Sequence, residues 1–132
     1  MKKISIIEDL IPLFPSSPFQ IYLDNRNEQK NICVISENLG FEYSDELKLE
    51  YQKKTYTAEI GVYISADEQN ANFYFIYSLL EQFFDNVRAC MGFNLNGKQI
   101  ILVTQQKPFG YLGRDKSGNY TFILNFNIEY KL

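Results

Sequence analysis

The chain has 132 residues, 45% of them hydrophobic and 22% charged, and carries a formal net charge of −3. That balance excludes a disordered polymer and, with no basic clusters, a generic nucleic-acid binder held by phosphate contacts. The absence of any His removes the usual general base, the Ser-His and Cys-His couples and the commonest transition-metal ligand.

This length fits one domain, residues 1–132, with enough chain to bury a core unaided. No run of about 18 apolar residues could cross a membrane. Met1-Lys2-Lys3 before the apolar residues 4–7 begins like a signal peptide, but Glu8 and Asp9 interrupt it and no small-residue cleavage site follows. A cytosolic site of synthesis is expected. Cys33 and Cys90 read as two separate free thiols; their separation in sequence leaves a disulfide open.

In chain order, Ile4, Ile7 and Ile11 share one helical face, predicting a short N-terminal helix of two to three turns. Pro12, Pro15 and Pro18 end it. Residues 19–23 alternate as a short strand, Asp24-Asn25 makes a turn, and residues 32–35 form a compact strand. Residues 37–46, polar with scattered aromatics, read as a connecting loop. Residues 47–52 and 57–65 both alternate, and the basic Lys53-Lys54 between them predicts an antiparallel hairpin.

Phe73, Ile76, Tyr77, Leu80, Phe83, Phe84 and Val87 then recur on one helical face over more than four turns. Ser65 and Glu68 have capping-box spacing, and Gly92 suits a left-handed cap. Asn96-Gly97 predicts a tight turn into a strand at residues 99–104, whose continuous apolar run 100–103 suggests cover on both faces. Residues 110–118 read as a glycine-rich bend. Finally Tyr120, Phe122, Leu124, Phe126, Ile128 and Tyr130 alternate, which buries one whole face of a closing strand. The expected fold is α+β: a mostly antiparallel twisted sheet of about four to six strands, packed by one long amphipathic helix and a short N-terminal one.

No catalytic constellation emerges. Glu59, Asp67, Glu68 and Asp115 could in principle form a glycosidase-like pair, but a helix N-terminus, a turn or a solvated strand face accounts for each. Gly110 to Arg114 lacks phosphate-loop spacing and leads into a strand rather than a helix. The expectation is a non-enzymatic protein without cofactor or metal.

The residues Pro108-Phe109-Gly110-Tyr111-Leu112-Gly113-Arg114-Asp115, then Gly118-Asn119-Tyr120, then Leu124-Asn125-Phe126-Asn127-Ile128-Glu129-Tyr130, resemble the end of the small minor capsid and tail-terminator proteins of tailed phages. In that family a proline and a Leu-Gly-x-Asp turn precede a closing strand of the form Asn-Phe-x-Ile-x-Tyr. The order of upstream elements resembles the family loosely; residues 37–46 do not align with it. The resemblance implies a structural protein of a phage or prophage virion, at the tail or neck, assembled in the host cytoplasm. It implies a homo-oligomer, a hexameric ring, that terminates the tail tube and joins tail to head by docking onto the tube protein and a head-completion protein. Neither sequence-specific nucleic-acid binding nor membrane attachment belongs to that role. Such a ring needs interfaces rich in Tyr and Arg. Tyr63 and Tyr74 point away from the predicted core, and Tyr111, Arg114 and Lys116 lie on the bend, so these five are the interface candidates. Each also fits an ordinary exposed aromatic or a solvated turn charge. The competing expectation is a monomeric α+β module that binds a peptide or small ligand.

Overall fold

A computed structural model describes residues 4–23, 31–43 and 54–132. Helix α1 (Ile7–Leu10) runs into a 3-10 turn (Ile11–Leu13), followed by strands β1 (Gln20–Leu23), β2 (Ile32–Tyr43) and β3 (Lys54–Ala66). Helix α2 (Phe73–Arg88) and strands β4 (Asn94–Leu95), β5 (Lys98–Arg114) and β6 (Tyr120–Lys131) complete the order. All six strands form one sheet in the order β1-β2-β3-β6-β5-β4, so β6 lies at its middle between β3 and β5. The fold is α+β, as the sequence predicts. The sheet is mixed, because β1 pairs with β2 in parallel while the other pairings are antiparallel.

Side-chain alternation decides which face is buried. Phe122, Leu124, Phe126, Ile128 and Tyr130 of β6 are all fully buried. They lie level with Ile64, Val62, Ile60, Ala58 and Tyr56 of β3, one buried row against another. Each large apolar side chain so buried contributes about 1.5–3 kcal/mol. Helix α2 covers this face with Ile76, Leu79, Leu80, Phe83, Phe84 and Val87. Phe83 and Phe84 meet the Phe126 ring at 5.9 and 5.5 Å between centroids. The N-terminal segment crosses the other end of the same face. Tyr130 Oη donates to the Ile4 carbonyl at 2.6 Å, Asn86 Nδ2 donates to the Leu13 carbonyl at 2.8 Å, and Asp9 pairs with Lys98 at 2.7 Å.

Several expectations need correction. Helix α2 has 16 residues, shorter than the predicted span that starts near Ser65. Ser65 belongs to β3, and Asp67 bonds Asn31 and accepts from the Asn70 N–H, a turn that delays the helix. The cap is Asn72, whose side chain accepts from the Phe75 N–H at 3.1 Å. Gly92 does take a left-handed φ of 84°, but beyond the helix, where its N–H donates to Ile100. The N-terminal helix is a single α turn plus a 3-10 turn, because Pro12 follows so closely.

Residues 37–43, predicted as loop, continue β2, which is the strand that pairs with β3. Asn38 is exposed and Glu37 half-buried there, a polarity that a loop reading mistakes for lack of structure. The predicted strand at residues 47–52 and the turns at Asp24-Asn25 and Lys53 fall outside the described residues. Ile101 and Leu102 are 39% and 45% exposed, so the run 100–103 lies on an outer strand and is not covered on both faces. The expected bend at 110–118 is mostly strand: β5 reaches Arg114 by absorbing Pro108 and Gly113 in register shifts, and only residues 115–119 turn. Asn96-Gly97 makes the predicted two-residue turn, with φ of 49° and 86°.

Cys33 and Cys90 are both free. Burial pushes the Cys33 thiol up to about 12. It also raises Cys90, whose sulfur donates to the Asn86 carbonyl at 3.5 Å.

Candidate functional site

Asp115 organises the turn between β5 and β6. Its carboxylate accepts the N–H groups of Ser117 and Asn119 at 2.9 Å each, and the Ser65 hydroxyl and Asn119 amide at 3.4 Å. Gly118 supplies the φ of 81° that the turn requires. Burial alone would raise the Asp115 carboxyl, but the Asn119 and Ser117 amides, then the Asn119 and Ser65 side chains, outweigh it and hold it below its ordinary value. Behind the turn, the Thr121 hydroxyl donates to the Gly113 carbonyl at 2.6 Å.

This frame sets Arg114 opposite Tyr120 in the ladder. The Arg114 guanidinium lies 4.5 Å from the Tyr120 ring centroid and donates to the phenol oxygen. That hydrogen bond, then the electrostatic effect of Tyr120, raises Arg114 further above its ordinary value, so it stays charged at any working pH. The side chain is exposed yet oriented, which lowers the entropy lost when it meets an anionic partner.

An aromatic wall backs the arginine. Phe73, at the first turn of α2, meets Tyr111, Phe122 and Tyr120 at centroid distances of 4.9, 5.0 and 5.8 Å. Tyr77 adds edge contacts to Phe109 and Phe122 at 6.1 and 5.9 Å. The wall is not sealed. Tyr74 is 88% exposed, Leu112 57%, Phe75 42% and Tyr111 40%. Exposed aromatics beside a positioned arginine are the residue types that dominate interface energies.

Of the five predicted residues, Tyr111 and Arg114 thus share one wall, and Lys116 is exposed on the adjoining turn. Tyr74 follows Phe73 on α2 and extends the same end. Tyr63 stands apart, on the sheet face away from α2, level with Val34 and Ile123. There it lines a shallow hollow of about 460 Å³ with Ser36, Gly61 and Asn125. Phe73, Phe75 and Leu112 were not among the sequence candidates. The helical spacing places Phe73 on the core face, and only the pairing of β5 with β6 brings Tyr111 beside it. Among the described residues no group of three Cys, Asp or Glu could hold a metal ion, and no helix is long and apolar enough to cross a membrane.

These features define a class, an α+β domain with a mixed six-stranded sheet among the described residues and an exposed aromatic and arginine surface at one end. A scan against protein-family models finds no match for the chain, and a search of curated proteins finds none.

Proposed function

We propose that the protein is a structural component of a tailed phage or prophage, which closes the tail tube and joins it to the head as a homo-oligomeric, hexameric ring. It acts by docking and performs no chemistry. Its place is the tail or neck of the virion, reached from the host cytoplasm. The tail-tube protein and a head-completion protein are its partners.

The observation that carries this reading is the junction of β5 and β6, where the family-like residues 108–130 hold Arg114 over Tyr120 beside the half-exposed Tyr111. Further support comes from the mostly antiparallel sheet and the α2 helix packed across one face, an arrangement that leaves the other face for contacts. Light scattering and native mass spectrometry across concentration test it, with and without tubes assembled from the tail-tube protein of the same genome. A closed oligomer in either condition supports the ring. A monomer in both, with no binding to tubes, rejects it.

The hollow beside Tyr63 favours a second reading, a monomeric module for a peptide or small ligand, since its size suits such ligands. Under that reading the protein stays monomeric and Tyr63→Ala abolishes ligand binding.

A further inference from the structure

The two outer edges of the sheet are uncovered to different extents. Strand β1 pairs with β2 only along Ile32, Cys33, Val34 and Ile35, while β2 continues to Tyr43. Strand β4 pairs with β5 only at Lys98 and Gln99, while β5 continues to Arg114. Among the described residues no further strand joins either overhang.

The registers fix the relative height of these overhangs. Asn38 pairs with Glu59, Glu59 with Asn127, and Asn127 with Thr104. Leu39 leads in the same way through Ala58 and Ile128 to Val103, and Gly40 through Thr57 and Glu129 to Leu102. Residues 38–40 and 102–104 therefore stand level with each other on opposite edges. Three antiparallel steps separate β2 from β5, so the two strands run in opposite directions. A copy rotated about an axis along the strands brings its β2 antiparallel to the first copy's β5, with no rise. A head-to-tail contact without rise is the kind that closes into a ring.

Elsewhere β5 carries the features that discourage edge pairing. Its register shifts between Ile100 and Leu102, between Gln105 and Lys107, between Lys107 and Gly110, and between Tyr111 and Gly113, and it contains Pro108. Its longest regular run is 102–105, which includes the part level with residues 38–40. Neither 38–40 nor 100–104 contains a charged residue. Leu39, Ile101 and Leu102 are exposed by about two-fifths, at 40, 39 and 45%. The guarded edge has one unguarded window, and its counterpart is on the other edge of the same molecule.

We propose that residues 102–104 of one copy pair antiparallel with residues 38–40 of the next, so that the sheet continues from subunit to subunit. This rests on the ring reading above and names the surfaces that meet. The test is the double variant Asn38→Cys/Thr104→Cys in a Cys90→Ser background. Within one copy these positions are three strand spacings apart, roughly 14 Å, beyond the ~7 Å reach of a disulfide, so any bridge between them joins two copies. Mild oxidation is expected to give a covalent ladder on a non-reducing gel that ends in a closed species. Each single variant alone should stay unlinked, and a mixture of the two should stop at dimers. Efficient linkage by one single variant alone would overturn the head-to-tail arrangement. A ring mass by light scattering with no linkage of the double variant would overturn the edge pairing and leave the ring reading intact. A monomer at every concentration and with tubes would overturn both. Leu102→Lys provides an independent check, because it places a charge in the window on a side chain already near solvent. It is expected to fold normally and fail to assemble; wild-type assembly by this variant would overturn the pairing.

Discussion

Removing the Asp9 carboxylate tests what ties the N-terminal segment to the far edge of the sheet. Lys98 Nζ lies 2.7 Å from Asp9 Oδ2, with the two side chains only 6% and 15% exposed. The other carboxylate oxygen accepts from the Asn96 side chain at 2.8 Å. An exposed pair of this geometry would contribute about 0–1 kcal/mol. Here Asp9→Ala leaves an ammonium buried without its counter-charge, a loss of about 3–5 kcal/mol. Replacing both groups, as in Asp9→Leu/Lys98→Met, removes the stranded charge and should recover most of that loss. Urea denaturation of the wild type, Asp9→Leu, Lys98→Met and the double variant gives the coupling energy, provided the m-value stays constant. If Asp9→Ala costs below about 1 kcal/mol, or the single effects add within about 0.5 kcal/mol, the pair behaves as a surface contact and the reasoning fails.

Three further outcomes are expected. Arg114→Glu should leave monomer stability close to that of the wild type, since the side chain it replaces is solvent-exposed, yet abolish the ring in sedimentation or light scattering; unchanged assembly would make the junction a plain connector. Asp115→Asn should narrow the stability gap to wild type as pH falls. The folded carboxyl titrates below its unfolded value of about 3.9, so its contribution is complete above that pH and is lost as pH drops through the lower, folded value; a gap that widens in acid denaturation curves would contradict this. Gly113→Ala should cost about 1–3 kcal/mol in thermal melts because φ is 128° there, whereas Gly110→Ala, with open space around it, should shift stability by less than about 0.5 kcal/mol.

The legible parts of the fold were those where one periodicity met a full set of buried partners. The alternation from Tyr120 to Tyr130 and the apolar stripe of α2 are both found where the spacing put them, because each buries nearly every residue of its pattern. Asn96-Gly97 was legible because two consecutive left-handed residues suit few other sequences. What failed was whatever depended on a neighbour. Residues 37–43 carry polar side chains and become strand only through the ladder to β3. The glycines and proline of 108–113 looked like a bend, but a strand at an edge can absorb them as register shifts. The parallel pairing of β1 left no local trace at all. At the candidate site, exposure of Tyr74 and Arg114 was readable from residue type and phase. The Phe73–Tyr111 contact was not, since it joins residues brought together only by the pairing of β5 with β6.

The central position of β6 also shapes how the molecule is made. Strands β3 and β5 do not pair with each other in the sheet; each pairs instead with Tyr120 to Lys131 between them. During synthesis the chain must hold one half-sheet and α2 with an open, apolar seam until those residues leave the ribosome. Folding is therefore a late, long-range event, slow by its topology and prone to association while the seam is open. A product truncated before Tyr120 would retain α2 and most of the strands, yet be recognised by chaperones and proteases as a chain missing its centre.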